Sequence, residues 1–258
     1  MNLGTCNNHG CTGYAKTTIL LLLSVVFLFC SADEAAAQKR FSKNYPAGKD
    51  VRLQLTNRSG MVTVEGWDRS EVSISAVLEA PAAAIEPQNL SGTIVINVVK
   101  DNQGRNEVGS VNFLIRVPYS SKVDIETKVG NLNVSNIGSG LVRAHVSTEG
   151  DITLTNIVAA AVSAENGIGD IFFDGVLQPG GRYRFSSMSG AINIRIPFNS
   201  SFKMVATAPS TRNINVGAFS NTNFRIIGDG RRIIGQSGDG SATLEVMNQR
   251  GSIGFLRR

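Results

Sequence analysis

Apolar and polar residues alternate along short runs of the chain from residue 51 onward. The runs are rich in Val, Ile, Thr and Phe and are separated by Gly, Asn, Ser and Asp, which favours β-strands joined by turns. Helical periodicity is nearly absent after residue 38, so the pattern predicts an all-β domain with one short helix or long loop at residues 80–92. The clearest alternating runs lie at residues 51–55, 62–64, 72–77, 94–98 and 111–117.

The alternation becomes periodic from residue 123. Residues 129–134 recur as 149–154, 168–173 and 189–194, and each copy has glycine at its second position. These glycines step by 20, 19 and 21 residues along the chain. Residues 211–216 continue the phase without the glycine, whereas residues 59–64 and 250–255 look like an early and a last copy. The repeat glycines are Gly60, Gly130, Gly150, Gly169, Gly190 and Gly251.

A period near 20 residues with a fixed glycine indicates a single elongated β-solenoid of stacked two-strand repeats. One unit cannot bury its apolar face alone, so successive units must stack at the strand spacing of about 4.8 Å. The glycine is expected at a turn with positive φ, where a Cβ would clash. A β-sandwich with regular hairpins is the alternative fold. In either fold, residues 41–122 form an irregular β entry and residues 123–258 the periodic part.

The ends of such a stack would expose open strand edges unless other segments cover them. We expect residues 41–50 to cover one end and the last repeat, which finishes at Arg258, to terminate the other. Residues 228–240 contain five glycines and interrupt the period, so we interpret them as a mobile loop.

The N-terminal residues 1–37 have the pattern of a signal peptide. Lys16 precedes an apolar run at residues 17–30, and small residues follow up to Ala37, after which we expect cleavage. The run is shorter than the roughly 20 apolar residues of a spanning helix. The chain is therefore expected to be exported to the periplasm, the cell envelope or the extracellular space.

The composition of residues 38–258 leaves few groups for catalysis. All three Cys and one of the two His lie in residues 1–37, so His145 is the one His of the remaining chain. Its position on the polar phase of a strand predicts an ordinary surface residue. The composition excludes disulfides, Cys nucleophiles, Cys-ligated zinc and His-cluster metal sites in residues 38–258. We expect no cofactor, no metal and no enzymatic activity.

One arrangement of carboxylates leaves an enzymatic alternative open. Asp151 and Asp170 occupy equivalent positions in neighbouring repeats, and paired carboxylates can serve glycoside hydrolysis or calcium binding. The same slot holds Asn131, Ala191 and Ser252 in other repeats, and Gly-Asp is also a turn dipeptide. A polysaccharide-active β-helix using both carboxylates is therefore kept as an alternative hypothesis.

The charge of residues 38–258 is basic. Without Lys16, Asp33 and Glu34 the chain has 24 basic and 18 acidic residues, a net charge of +6. An exported basic surface suits an anionic envelope polymer or lipid head groups, although charge can also serve only solubility and edge protection. No nucleic-acid-binding motif is present. The predicted anionic-ligand surface consists of Arg225, Arg231, Arg232, Arg257 and Arg258.

Three parts of the chain resemble a bacterial family of candidate adhesins with β-strand repeats, the DUF4097 type. These parts are residues 60–76, with Trp67 in a Gly-Trp-Asp turn, residues 115–118, and the glycine repeats with residues 240–251. The resemblance covers roughly residues 41–258 and implies the repeat fold but no catalytic residue. The resulting hypothesis is an exported, non-enzymatic, adhesin-like binding module. The further alternative is a passive scaffold that partners another envelope protein by strand addition at an open edge.

Overall fold

The computed structural model describes residues 38–48, 50–138, 140–220 and 223–258. The predicted signal peptide at residues 1–37 lies outside these ranges. Gln38–Arg258 form one compact unit with its own hydrophobic core, and strands dominate its regular structure, so the all-β prediction is confirmed. No helix within the described ranges is long and apolar enough to span a bilayer.

The regular elements, in chain order, are β1 (Lys39–Pro46), β2 (Arg52–Ser59), β3 (Val62–Trp67), β4 (Glu71–Leu78), β5 (Gln88–Leu90), β6 (Thr93–Asn97), helix α1 (Val98–Asp101), β7 (Val111–Pro118), β8 (Lys122–Val129), β9 (Leu132–Ser135), β10 (Leu141–Glu149), β11 (Ile152–Ile157), β12 (Ala161–Ile168), β13 (Ile171–Gly175), β14 (Arg182–Ser189), β15 (Ile192–Ile196), β16 (Phe202–Thr207), β17 (Ile214–Asn215), a 3-10 helix (Gly217–Phe219), β18 (Asn223–Ile227), β19 (Arg232–Ser237), β20 (Ala242–Arg250) and β21 (Ile253–Arg257).

The strands form two sheets. Sheet A has the order β1-β4-β7-β3-β9-β11-β13-β15-β21-β17, and sheet B has the order β18-β19-β16-β20-β14-β12-β10-β8-β2-β6-β5. A repeat places its first strand in sheet B, turns at the glycine, and places its second strand in sheet A. The six repeats with this glycine turn are β2–β3, β8–β9, β10–β11, β12–β13, β14–β15 and β20–β21.

The stack is held together by parallel strands in matched register. Val142 of β10, for example, pairs with Val123 of β8 on one side and with Val162 of β12 on the other. Inward positions thus form continuous buried rows, and each fully buried large apolar side chain contributes about 1.5–3 kcal/mol by leaving water. Because every repeat contributes to both sheets through parallel pairing, the fold is a β-solenoid and not a sandwich of hairpins. One buried row consists of Leu53, Val123, Val142, Val162, Tyr183 and Leu244.

The N-terminal end of the stack is closed by antiparallel strands. β1 forms the edge of sheet A and pairs with β4 from Lys39 to Pro46, so most of residues 41–50 lies at this end as predicted. β5 forms the corresponding edge of sheet B. Residues 80–92 contain β5 and no helix, whereas α1 follows at Val98–Asp101.

The C-terminal end differs from the sequence prediction in two ways. The last repeat does not terminate the stack, because β20 pairs with β14 and β16, and β21 pairs with β15 and β17. The chain passes outward through β16 and β17 and returns to insert its last repeat. Residues 228–240 are also not a loop: the whole of β19 lies within them, antiparallel to β16 and β18. Four of their five glycines lie in turns at the two ends of β19, Gly235 lies within the strand, and Ile233 is buried.

Candidate binding surface

The repeat glycines line one edge of the solenoid, where each coil passes from sheet B to sheet A. Gly60, Gly130, Gly150, Gly169 and Gly190 have φ between +112° and +145°. A Cβ on Gly150 would collide with the carbonyl oxygen of Gly130 and would lie 2.5 Å from its carbonyl carbon. Gly251 lacks the positive φ, but a Cβ there would collide with the carbonyl oxygen of Gly190. The glycine period thus marks close backbone stacking.

Asp151 and Asp170 follow these glycines and hydrogen-bond from coil to coil. Asp151 Oδ1 accepts the backbone N–H of Asp170 at 2.8 Å, and Asp170 Oδ1 accepts that of Ala191 at 2.7 Å. Asn131 Oδ1 accepts the backbone N–H of Asp151 at 3.0 Å. At Asn131, Asp151 and Asp170 this slot of the repeats therefore carries a side-chain acceptor that joins successive coils.

The remaining candidate groups for chemistry are dispersed. His145 lies half-buried on the outward side of sheet B, in register between Glu126 and Glu165. No group of three or more His, Cys, Asp or Glu in the described part of the chain could hold a metal ion. Trp67 is half-buried, and its indole N–H donates to the Glu71 carbonyl oxygen at 2.9 Å.

The predicted arginine cluster is divided between the two sheets. Arg225 lies on β18 and Arg232 on β19, both in sheet B, and Arg231 lies in the turn between these strands. Arg257 ends β21 in sheet A, where its guanidinium lies 5.8 Å from the ring centroid of Phe198. Arg258 follows β21, and its Nε lies 3.2 Å from Asp174 Oδ1.

Three further cations share the outward side of sheet B with Arg225 and Arg232. β14 supplies Arg182 and Arg184, and β16 supplies Lys203, all exposed. Alternation along these strands predicts that they point outward. Their proximity to β18 and β19 could not be inferred, because β16 and β20 stack in an order different from the chain. We call Arg182, Arg184, Lys203, Arg225 and Arg232 the basic face.

The basic face brings five cations without an ion pair onto adjoining strands, whereas several arginines elsewhere in both sheets contact a carboxylate. In the N-terminal half of sheet B, Asp124 lies 2.9 Å from Arg52 and 3.6 Å from Arg143. In sheet A, Asp174 lies 3.2 Å from both Arg195 and Arg258. Within the described residues, no ion pair involves the basic face. Glu245 is the one acidic residue among the five strands β14, β16, β18, β19 and β20 of the described chain.

The surface of the basic face is uneven. Small side chains on β12, Ala161 and Ser163, leave a depression of about 440 Å³ between Leu141 and Arg184. Two further depressions, of about 290 and 750 Å³, lie along β16 and the β18–β19 pair. All five cations of the basic face line one or more of them. The face therefore offers several shallow contact sites beside positive charge.

A family model described as Toastrack DUF4097 matches residues 34–254. The chain belongs to the Toastrack DUF4097 family. The match includes every residue of the basic face and ends before Arg257 and Arg258. No curated protein sequence shows significant similarity to this Toastrack chain.

Solved structures with similarity to this Toastrack chain have low sequence identity to it. A candidate cell adhesion protein from Clostridium sporogenes is 14% identical, with a TM-score of 0.50 over 86% of this chain and 100% of that chain. A candidate adhesin from Bacteroides fragilis is 8% identical, with a TM-score of 0.37 over 86% and 99% of the two chains. A candidate lipid-binding protein from Parabacteroides distasonis is 11% identical, with a TM-score of 0.35 over 84% and 97%. The first similarity supports the fold of this Toastrack domain.

Proposed function

We propose that this Toastrack chain is an exported, non-enzymatic, adhesin-like binding module that contacts anionic groups of the bacterial cell envelope through its basic face. The observation that carries the proposal is the set of five outward cations on adjoining strands of sheet B, none of which forms an ion pair within the described residues, with Glu245 as the one acidic residue among those strands. Phosphate and carboxylate groups are the shared chemistry of such a ligand. The signal-peptide pattern of residues 1–37 supports the location.

Binding would be multivalent and sensitive to salt. Each Lys or Arg near a negatively charged surface contributes about 1 kcal/mol, so several weak contacts add up along the sheet. Raising the ionic strength from about 0.1 M to 1 M shortens the screening length from about 10 Å to 3 Å. A ligand held by the basic face should therefore be released by salt.

A non-enzymatic role is supported by the positions of the candidate acids. One oxygen of Asp151 and one of Asp170 accept a backbone N–H of the next coil. This arrangement gives both residues a structural role that does not require a substrate. We expect Asp151→Asn with Asp170→Asn to leave envelope retention unchanged; loss of a polysaccharide-cleaving activity in this variant would contradict the proposal.

The test is retention of residues 38–258 on isolated envelope fractions at increasing salt. Arg184→Ser, Arg225→Ser and Arg232→Ser together remove three charges, or about 3 kcal/mol, which corresponds to about 100-fold weaker retention.

The matched control is the triple variant Lys39→Ser, Arg40→Ser and Lys43→Ser, which removes three exposed charges from β1 at the opposite end. This control should keep most of the retention. Equal loss in both triple variants, or retention that salt does not reduce, would refute the role of the basic face.

A further inference from the structure

The end of the β18–β19 hairpin exposes two adjacent isoleucines. Ile226 is 70% exposed and Ile227 is 45% exposed. Ile226 pairs with Ile233, which is buried and points into the core, whereas Ile227 pairs with Arg232, which is exposed on the outward face. The two isoleucines therefore point to opposite sides of the hairpin, and both are accessible to solvent.

The hairpin lies where the facing sheet has ended. Sheet A terminates at β17, which has only two residues, Ile214–Asn215. Sheet B continues past it through β16 and β19 to its edge strand β18. Ile233 on β19 is still covered by the core at 5% exposure, but its partner Ile226 on β18 is not. The apolar end of β18 is thus an overhang beyond the packed core.

Arginines flank this overhang. Arg225 precedes the isoleucines, Arg231 lies in the turn after them, and Arg232 begins β19. The turn also contacts the segment carrying Arg212: the Ala208 N–H donates to the Arg231 carbonyl oxygen at 2.8 Å, and the Arg212 N–H donates to the Ala208 carbonyl oxygen at 3.0 Å.

The four arginines have no ion pair among the described residues. Asp229, in the turn of the hairpin, is the acidic residue nearest to them in sequence. An exposed apolar pair flanked by arginines matches the chemistry of an anionic membrane interface. There, apolar side chains enter the headgroup region while basic side chains contact phosphates.

We propose that the β18–β19 hairpin docks the protein on an anionic lipid bilayer. This inference rests on the proposed function and specifies its ligand. The isoleucines enter the interface, and Arg212, Arg225, Arg231 and Arg232 contact lipid phosphates. A hydrated anionic polymer would attract the arginines equally well, but it has no apolar phase to receive Ile226 and Ile227.

The experiment measures binding of residues 38–258 to sedimented vesicles of phosphatidylglycerol and phosphatidylcholine, or of phosphatidylcholine alone. The hydrophobic core of the described residues lies within this range, and circular dichroism verifies the fold of each variant. Binding is expected only with phosphatidylglycerol. Ile226→Ser with Ile227→Ser should weaken vesicle binding on the order of tenfold, because the exposed apolar surface that is removed equals about that of one isoleucine side chain. Arg225→Ser with Arg231→Ser should weaken it on the order of 25-fold.

The matched apolar control is Leu90→Ser with Val99→Ser, which removes two side chains of 55% and 51% exposure at the opposite end. This control should bind vesicles like the unchanged protein. Soluble dextran sulfate is the matched polymer probe, and the isoleucine variant should bind it without loss.

Several outcomes would overturn the inference. No binding to anionic vesicles, with salt-sensitive envelope retention intact, would refute the bilayer and leave the proposed function standing. Unchanged vesicle binding in the isoleucine variant, or equal loss in the Leu90 and Val99 control, would show that the hairpin does not insert. An isoleucine effect on envelope retention that persists after lipid extraction would assign the hairpin to a protein partner instead. If the unchanged protein showed neither vesicle binding nor salt-sensitive envelope retention, both proposals would be refuted.

Discussion

Gly150→Ala tests whether the glycine edge exists because coils stack too closely for a side chain. Gly150 has φ +145°, a conformation that costs a residue with a Cβ about 1–3 kcal/mol. The new methyl group would also collide with the Gly130 carbonyl, so the two coils must separate locally. Two hydrogen bonds lie at this point: the Gly150 N–H donates to Ile168 O at 2.9 Å and the Gly130 N–H to Glu149 O at 2.8 Å.

These contributions together predict a loss of about 3–5 kcal/mol in the free energy of unfolding. Each weakened hydrogen bond contributes about 1 kcal/mol, and the backbone strain accounts for the rest. Domains of this size have a total stability of about 5–15 kcal/mol, so the variant should unfold at much lower urea concentration. The assay is urea denaturation of residues 38–258 followed by circular dichroism.

Gly92→Ala is the control that separates backbone strain from crowding. Gly92 also has a positive φ, +86°, but a Cβ there would meet no atom within 4 Å. It should lose only about 1–2 kcal/mol. If Gly150→Ala lost no more stability than Gly92→Ala, the close stacking of coils would not explain the glycine period.

Three further changes are measured by the same urea denaturation. Asp170→Ala removes the acceptor of the Ala191 N–H and should lose about 1 kcal/mol, whereas Asp170→Asn keeps an acceptor oxygen and should lose less than about 0.5 kcal/mol. Asp174→Asn weakens the contacts to Arg195 and Arg258 and should lower the free energy of unfolding by about 1–2 kcal/mol. This loss is kept small because both arginines are partly in water, which screens the ion pairs. An unchanged urea midpoint would contradict this prediction. Burial raises the pKa of Tyr183 above its usual 10.0, so stability is full below pH 10 and is lost as the pH rises toward the folded pKa. Tyr183→Phe should lose about 1–3 kcal/mol at pH 8, since the hydroxyl bridges Gln178 N and Ala159 O. The variant should also lack the decline in stability that Tyr183 causes above pH 10, and an equal decline in both proteins would refute this.

The sequence was most informative where one local rule repeats. Alternation predicts which residues of a strand point inward, and the glycine at a period near 20 predicts where the chain turns. These features need only the residues of one repeat, so the sheets, the glycine edge and the stacking of Asp151 beside Asp170 followed from the pattern. The Toastrack match and the two sheets of stacked parallel strands agree with that part of the prediction.

The order of coils in the stack is a long-range property, and the local pattern does not encode it. β16 and β20 have equally good alternation, and nothing in their residues indicates that the later strand lies next to β14. The glycine content of residues 228–240 was ambiguous for a similar reason. Several glycines can indicate a loop, but here most of them form two tight turns on either side of a strand. The basic face was only partly predicted. Arg184 and Lys203 share this face with Arg225 because the last repeat is inserted into the stack, and the local pattern does not show that insertion.

The two ends of the solenoid show what edge protection alone requires. Strand β1 is an open edge with three exposed cations, Lys39, Arg40 and Lys43, and its large apolar side chains are partly or fully covered. That arrangement is sufficient to discourage pairing with another chain. Strand β18 is also an open edge with exposed positive charge, yet it carries Ile226 and Ile227 in solvent. Solubility explains Arg225 of β18 but not the isoleucines, and an apolar interface beside anionic groups explains both.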